Sequence, residues 1–165
     1  MTAFSASDRL VRVRLVEDRP RLRTPEIQQE LDVAIFDLIE ENRFRPLPRG
    51  DEPVSPGPYV LGMGMVERML LMDVRTEAED QVTELHLSLS PLRGIIKDYF
   101  AICESYFDAV KRLPPSRIEA IDMGRRGVHD EGAAILVERL SGKVATDSAT
   151  ARRLFTVICA LQYRG

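Results

Sequence analysis

Three runs of strand-forming residues, at 59–66, 69–75 and 81–89, follow one another with only Glu67-Arg68 and residues 76–80 between them. Links that short leave no room for a crossover, so the runs predict an antiparallel meander. In the last run Thr83, Leu85, Leu87 and Leu89 alternate with Glu84, His86 and Ser88. That period of two predicts one buried face and one wet face. Four methionines between Met63 and Met72 resemble a metal stripe. An unbranched, polarisable side chain is also the natural filler of an irregular core, and packing is the reading adopted.

The remaining segments predict what covers that sheet. Alternation in Leu10-Val-Arg-Val-Arg-Leu-Val16 marks a further strand, preceded by a small, polar tail over residues 1–8 that is expected to be disordered. Residues 19–23 read as a connector. Thr24-Pro25-Glu26 then supplies a cap, a first-turn proline and a dipole-complementing acid for a helix carrying Ile27, Leu31, Ala34, Ile35, Leu38 and Ile39 on one face. Five prolines and two glycines in 45–58 predict one long, mobile surface loop. Ser90-Pro91 opens a strongly amphipathic helix running to Leu113. Ser116-Arg-Ile-Glu119 has the form of a capping box for a short helix ending near Met123. Ala134, Ile135, Val137 and Leu140 mark another helix that begins near Asp130, and Asp147 caps the last one. The predicted class is α+β: about four antiparallel strands with about five helices mainly on one face, in the order β-α-β-β-β-α-α-α-α, as a single domain over residues 9–163.

Composition narrows the function classes. A formal net charge of -3 gives no bulk electrostatic case for nucleic acid. Cys103 and Cys159 each lie in an apolar helical pattern and are expected to be buried free thiols, and no Cys-x-x-Cys or Cys/His cluster suggests zinc. The first residues lack the basic-then-apolar pattern of a signal peptide, and no apolar stretch approaches the ~20 residues of a membrane span. These features place the chain in a reducing cytoplasm, with no metal, cofactor or membrane implied.

Several blocks carry a resemblance. They are Thr24-Pro-Glu, Ala34-Ile-Phe-Asp-Leu-Ile-Glu-Glu-Asn42, Leu87-Ser-Leu-Ser-Pro-Leu-Arg93 and Ile96-Lys-Asp-Tyr-Phe100. Ile102-Cys-Glu-Ser-Tyr106, Ile118-Glu-Ala-Ile-Asp-Met-Gly-Arg-Arg-Gly127 and Ala151-Arg-Arg-Leu-Phe-Thr-Val-Ile-Cys159 belong with them. Over about residues 24–161 the chain resembles Uncharacterised Protein Family 0262, a bacterial family of unknown function. The resemblance implies no activity, cofactor or catalytic residue. The methionine-rich stretch 62–72 and the loop at 45–58 stand outside it.

The densest group of chemically capable residues is Asp122-Met-Gly-Arg-Arg-Gly-Val-His-Asp-Glu-Gly132. Each interior glycine costs a helix roughly 1 kcal/mol relative to alanine, so the glycines predict a turn-rich corner at 124–132 between two helices. Backbone amides at a following helix N-terminus, with Arg125, Arg126 and Gly127, would then hold a phosphate or carboxylate. His129 would act as a base oriented by Glu131 or Asp130. The competing reading pairs the arginines with Glu119, Asp122 or Glu131 and makes the glycines a tight corner. His86 is expected to be solvent-exposed on its strand. Were the helices to converge, Arg93, Lys97, Arg125, Arg126 and Arg152 would form one basic patch. Three functional readings follow. The first is a non-catalytic protein that binds a protein partner, itself included. The second is an anion- or phosphometabolite-binding enzyme or sensor built on the corner. The third and weakest is RNA binding through the arginines.

Overall fold

The computed structural model describes residues 3–17 and 22–163. The expected connector at 19–23 falls largely outside them. The elements run β1 (Leu10–Val16), α1 (Pro25–Glu40), β2 (Phe44–Pro46), β3 (Tyr59–Val66), β4 (Met69–Thr76), β5 (Gln81–Ser88), α2 (Arg93–Arg112), α3 (Pro115–Leu140), β6 (Val144–Thr146) and α4 (Ser148–Gln162), with a 3₁₀ turn over Ser90–Leu92.

The meander forms as expected, in the order β1-β3-β4-β5. The sheet is mixed rather than antiparallel, because β1 returns through α1 and β2 to lie parallel to β3. A helix between two strands is the connection that permits parallel pairing. Gly64 makes the join possible: a Cβ there would collide with the carbonyl of Val16. A second, two-stranded sheet pairs β2 with β6. The proline-rich segment therefore begins with a short strand, and Pro46 is tolerated there at the margin of a two-stranded ladder.

The alternation of β4 and β5 places Leu70, Met72, Val74, Leu85 and Leu87 in the core. The four helices meet that face around Leu31, Leu38, Tyr99, Leu136, Phe155 and Ile158. Four helices stand where five were expected, because the glycine-rich region does not break the chain: Pro115–Leu140 is one 26-residue helix. Its buried residues are Gly132, Ala133, Leu136 and Leu140; of the expected face Leu140 is buried and Ile135 half-buried, while Ala134 and Val137 stay exposed.

The caps divide. Thr24 accepts from the amide of Ile27, and Asp147 from that of Thr150, as expected. Ser90 and Ser116 do not cap: a 3₁₀ turn precedes α2, and α3 starts two residues earlier than a Ser116 cap would allow, behind Pro114 with no side-chain cap. Residues 3–8, expected to be a disordered tail, turn back onto the body. Asp8 is buried, accepts from the amide of Ser5 and passes its carbonyl to the amide of Phe44. Asn42 closes this end by bonding the amide and carbonyl of Leu10 and the carbonyl of Leu38.

Candidate functional site

The residues of the expected corner lie within one continuous helix, and 3.6-residue periodicity decides which of them meet. Arg125 and His129 are four apart and share a face with Arg126 at its edge. All three line a depression of about 260 Å³ between α1, α3 and α4, along with Glu30, Asp37, Arg152 and Arg153. Gly127 and Glu131 project elsewhere and do not line it. No helix begins at 130, so the free amides that an anion would need there are bonded within α3.

The glycines have unequal reasons to exist. A Cβ on Gly132 would come within 2.5 Å of the Phe155 ring, so this glycine lets α3 and α4 touch. Gly124 faces Ile102 of α2 at ordinary contact distance. Gly127 faces open space.

Arg125 is held on every side. Its guanidinium reaches both oxygens of Glu30 at 3.4 Å and Oδ1 of Asp122 at 3.1 Å, and it lies 4.3 Å over the Tyr106 ring. Burial works against its charge, but Glu30 and Asp122 outweigh that and raise its pKa. Glu30 also accepts the hydroxyl of Tyr99 at 3.1 Å and faces the thiol of Cys103. One carboxylate from α1 thus ties α2 to α3. Arg126 is 75% exposed and pairs with Asp122 one turn away. Arg152 pairs with Asp130, and Arg153 donates to the carbonyl of Glu41.

His129 donates from Nδ1 to the carbonyl of Arg125, and its ring packs edge-on against Tyr99 and Phe155. Burial lowers its pKa below 6.5, outweighing the Arg125 carbonyl and Glu30, so the ring is neutral at pH 7. Asp130 is engaged with Arg152 instead, and Glu131 lies on another face of the helix. Cys103 and Cys159 are buried free thiols. Burial, then the charge of Glu30, pushes Cys103 up to about 12, and burial raises Cys159 as well, so neither is a thiolate at neutral pH. His86 is exposed and pairs with Glu84 at 2.9 Å. Among the described residues no cluster of His, Cys, Asp or Glu is placed to hold a metal ion. No helix among them is long and apolar enough to cross a membrane.

Two features escaped the sequence. The larger cleft, about 910 Å³, lies between the β3–β4 turn, the start of α2 and the end of α4. Arg93 and Lys97 line it, which separates them from Arg125, Arg126 and Arg152 and divides the expected basic patch in two. Arg68 joins them from the turn, where Glu67 and Arg68 hold φ of 49° and 68°. A two-residue hairpin needs that left-handed backbone and favours Asn-Gly there, and each non-glycine residue in it costs on the order of 1 kcal/mol. The second feature is an apolar stripe on the outer face of α1. Val33, Phe36 and Ile39 are 49%, 64% and 41% exposed. Their spacing of three keeps them on one side of the helix. Ile39 was expected inward, and the buried face instead centres on Ile27, Leu31, Ala34 and Leu38.

With this geometry in view, relatives place the chain. The sequence profile of an uncharacterised protein family, UPF0262, matches residues 7–164, and the chain belongs to that family. It is 60% identical over 143 residues to a UPF0262 protein of Ruegeria sp. (strain TM1040), covering 86% of this chain and 89% of the relative. It is 53% identical over 156 residues to one of Cereibacter sphaeroides (strain ATCC 17025), covering 94% and 99%. No solved structure matches the chain significantly.

Proposed function

We propose that this protein acts without catalysis, through protein–protein binding, and that the outer face of α1 joins a second copy of the chain. The observation that carries the reading is the Val33–Phe36–Ile39 stripe, large apolar side chains left in water on one helix face. Its surroundings favour a second copy. Helix α1 carries Glu26, Glu30, Asp32, Asp37 and Glu40 and no lysine or arginine. Arg126, Arg152 and Arg153 stand across the neighbouring depression, which Val33 also lines. In a two-fold pairing each acidic α1 edge meets the other copy's cationic edge, with the apolar stripe between them. Sedimentation velocity over a concentration series tests this. Wild type should dimerise, and Phe36→Glu should be monomeric with an unchanged far-ultraviolet circular dichroism spectrum, its melting temperature no longer rising with protein concentration. A wild type that stays monomeric throughout, or a Phe36→Glu variant that dimerises equally, removes the reading.

A second reading rests on Arg125, Arg126 and His129 sharing one depression with Arg152 and Arg153. A small anion such as phosphate would be drawn to the cationic side of that depression. Protection against thermal unfolding by phosphate, lost in Arg152→Ala/Arg153→Ala, supports it; no protection ends it.

A further inference from the structure

The cleft between the β3–β4 turn and α2 combines two kinds of wall. Arg68, Arg93 and Lys97, all exposed, line it together with one acid, Glu67, and among the described residues none of the three cations has a carboxylate within ion-pair distance. Met65, Met69, Ile96 and Phe100 supply apolar surface beside them. Its volume of about 910 Å³ lies in the range of small-molecule sites, which pair apolar walls with a few converging polar groups.

Each cation sits where the fold alone would disfavour it. Arg68 occupies a left-handed backbone position that glycine fills without strain. Arg93 is the first residue of α2, at the positive end of the helix dipole, in a first turn with no acid and no side-chain cap. Lys97 follows four residues later on the same helix face, so the two repel. Three locally unfavourable choices from two separate elements converge on one cavity. A negatively charged occupant turns all three from unfavourable to favourable. Met65 and Met69, on the hairpin that carries Arg68, adapt to an apolar body of varied shape.

We infer that this cleft binds a small amphipathic anion, with a carboxylate or phosphate head on Arg68, Arg93 and Lys97 and a hydrocarbon or aromatic body against Met65, Met69 and Phe100. The site is independent of the α1 face, and neither proposal depends on the other.

The test titrates purified protein with 1-anilinonaphthalene-8-sulfonate, itself an amphipathic anion that fluoresces when sheltered from water, and then competes it with decanoate, decanol and inorganic phosphate. Saturable binding at one site per chain is expected, displaced by decanoate and not by the neutral alcohol or the bare ion. Arg93→Glu should weaken binding at least tenfold. Arg68→Gly should weaken it several-fold while raising the melting temperature, because it relieves the turn as it removes the charge. A purely structural Arg68 would instead lower the melting temperature when replaced. Absence of saturable binding overturns the inference, as does equal displacement by decanol, or an affinity unchanged in both variants. Pelleting with phosphatidylglycerol vesicles, if it occurs without any binding of monomeric decanoate, overturns it in favour of a membrane surface.

Discussion

Two groups of cations in this molecule answer opposite demands. Around Arg125, helices α1, α2 and α3 bring Glu30, Asp122 and Tyr106 against one guanidinium that is 21% exposed, and Tyr99 donates to Glu30. Around Arg68, Arg93 and Lys97 no ion pair forms among the described residues, and the charges face a cleft. The first arrangement is a joint, in which each charge is answered from within the fold. The second leaves its charges to be answered from outside. Chemical capability in a sequence does not separate the two; pairing in three dimensions does.

The joint should be where substitution costs most. Glu30→Ala removes the acceptor for Arg125, Tyr99 and Cys103 together and leaves a largely buried cation facing one remaining acid. Breaking a buried pair from one side costs about 3–5 kcal/mol, and partial exposure here places the expected loss near the lower figure. Urea denaturation measures it. A loss below about 1 kcal/mol would mean that Arg125 turns out into water, and the contrast between the two regions would collapse.

The glycines sharpen the same contrast on a smaller scale. Gly132→Ala drives a methyl toward the Phe155 ring, 2.5 Å from the new carbon. Overpacking of this kind costs about 1–3 kcal/mol, and the gain in helix propensity offsets roughly 1, leaving a net loss of up to about 2 kcal/mol. Gly127→Ala meets nothing in an exposed turn of α3, so the propensity gain stands alone and stability should rise by about 0.5–1 kcal/mol. Thermal melts of both variants decide the matter. A destabilised Gly127→Ala would show that the helix bends or opens there, returning the region toward the corner its sequence suggested.

That corner is the most instructive departure from expectation. The meander, its faces, the Thr24 and Asp147 caps and the buried thiols were legible because each rests on local spacing or on a side chain bonding within three residues. The continuity of α3 was not legible, because tertiary contacts outweigh three glycines: Gly132 packs on Phe155, and Arg125 and His129 are gripped from neighbouring helices. Parallel pairing of β1 with β3 was hidden for a similar reason, since strand order depends on partners distant in sequence. The larger cleft was out of reach altogether. Arg68 and Arg93 lie 25 positions apart in elements that read as an ordinary turn and an ordinary helix start.

The smallest expected effect separates neighbours in sequence. Arg125 and Arg126 are adjacent and chemically identical, and both contact Asp122. A helix turns 100° between them, enough to put one among three helices and leave the other in water. An exposed pair four residues apart contributes about 0.3–0.5 kcal/mol, screened by salt, so Arg126→Ala should cost less than about 0.5 kcal/mol and less still in high salt. Arg125→Ala strips the partner from a largely buried Glu30 and should cost several times more. Parallel denaturation of the two variants at low and high salt tests the pair. Equal losses would mean that Arg125 is as solvated as Arg126. The joint would then become a surface pair, and Arg125 would rejoin the cations available to an external anion.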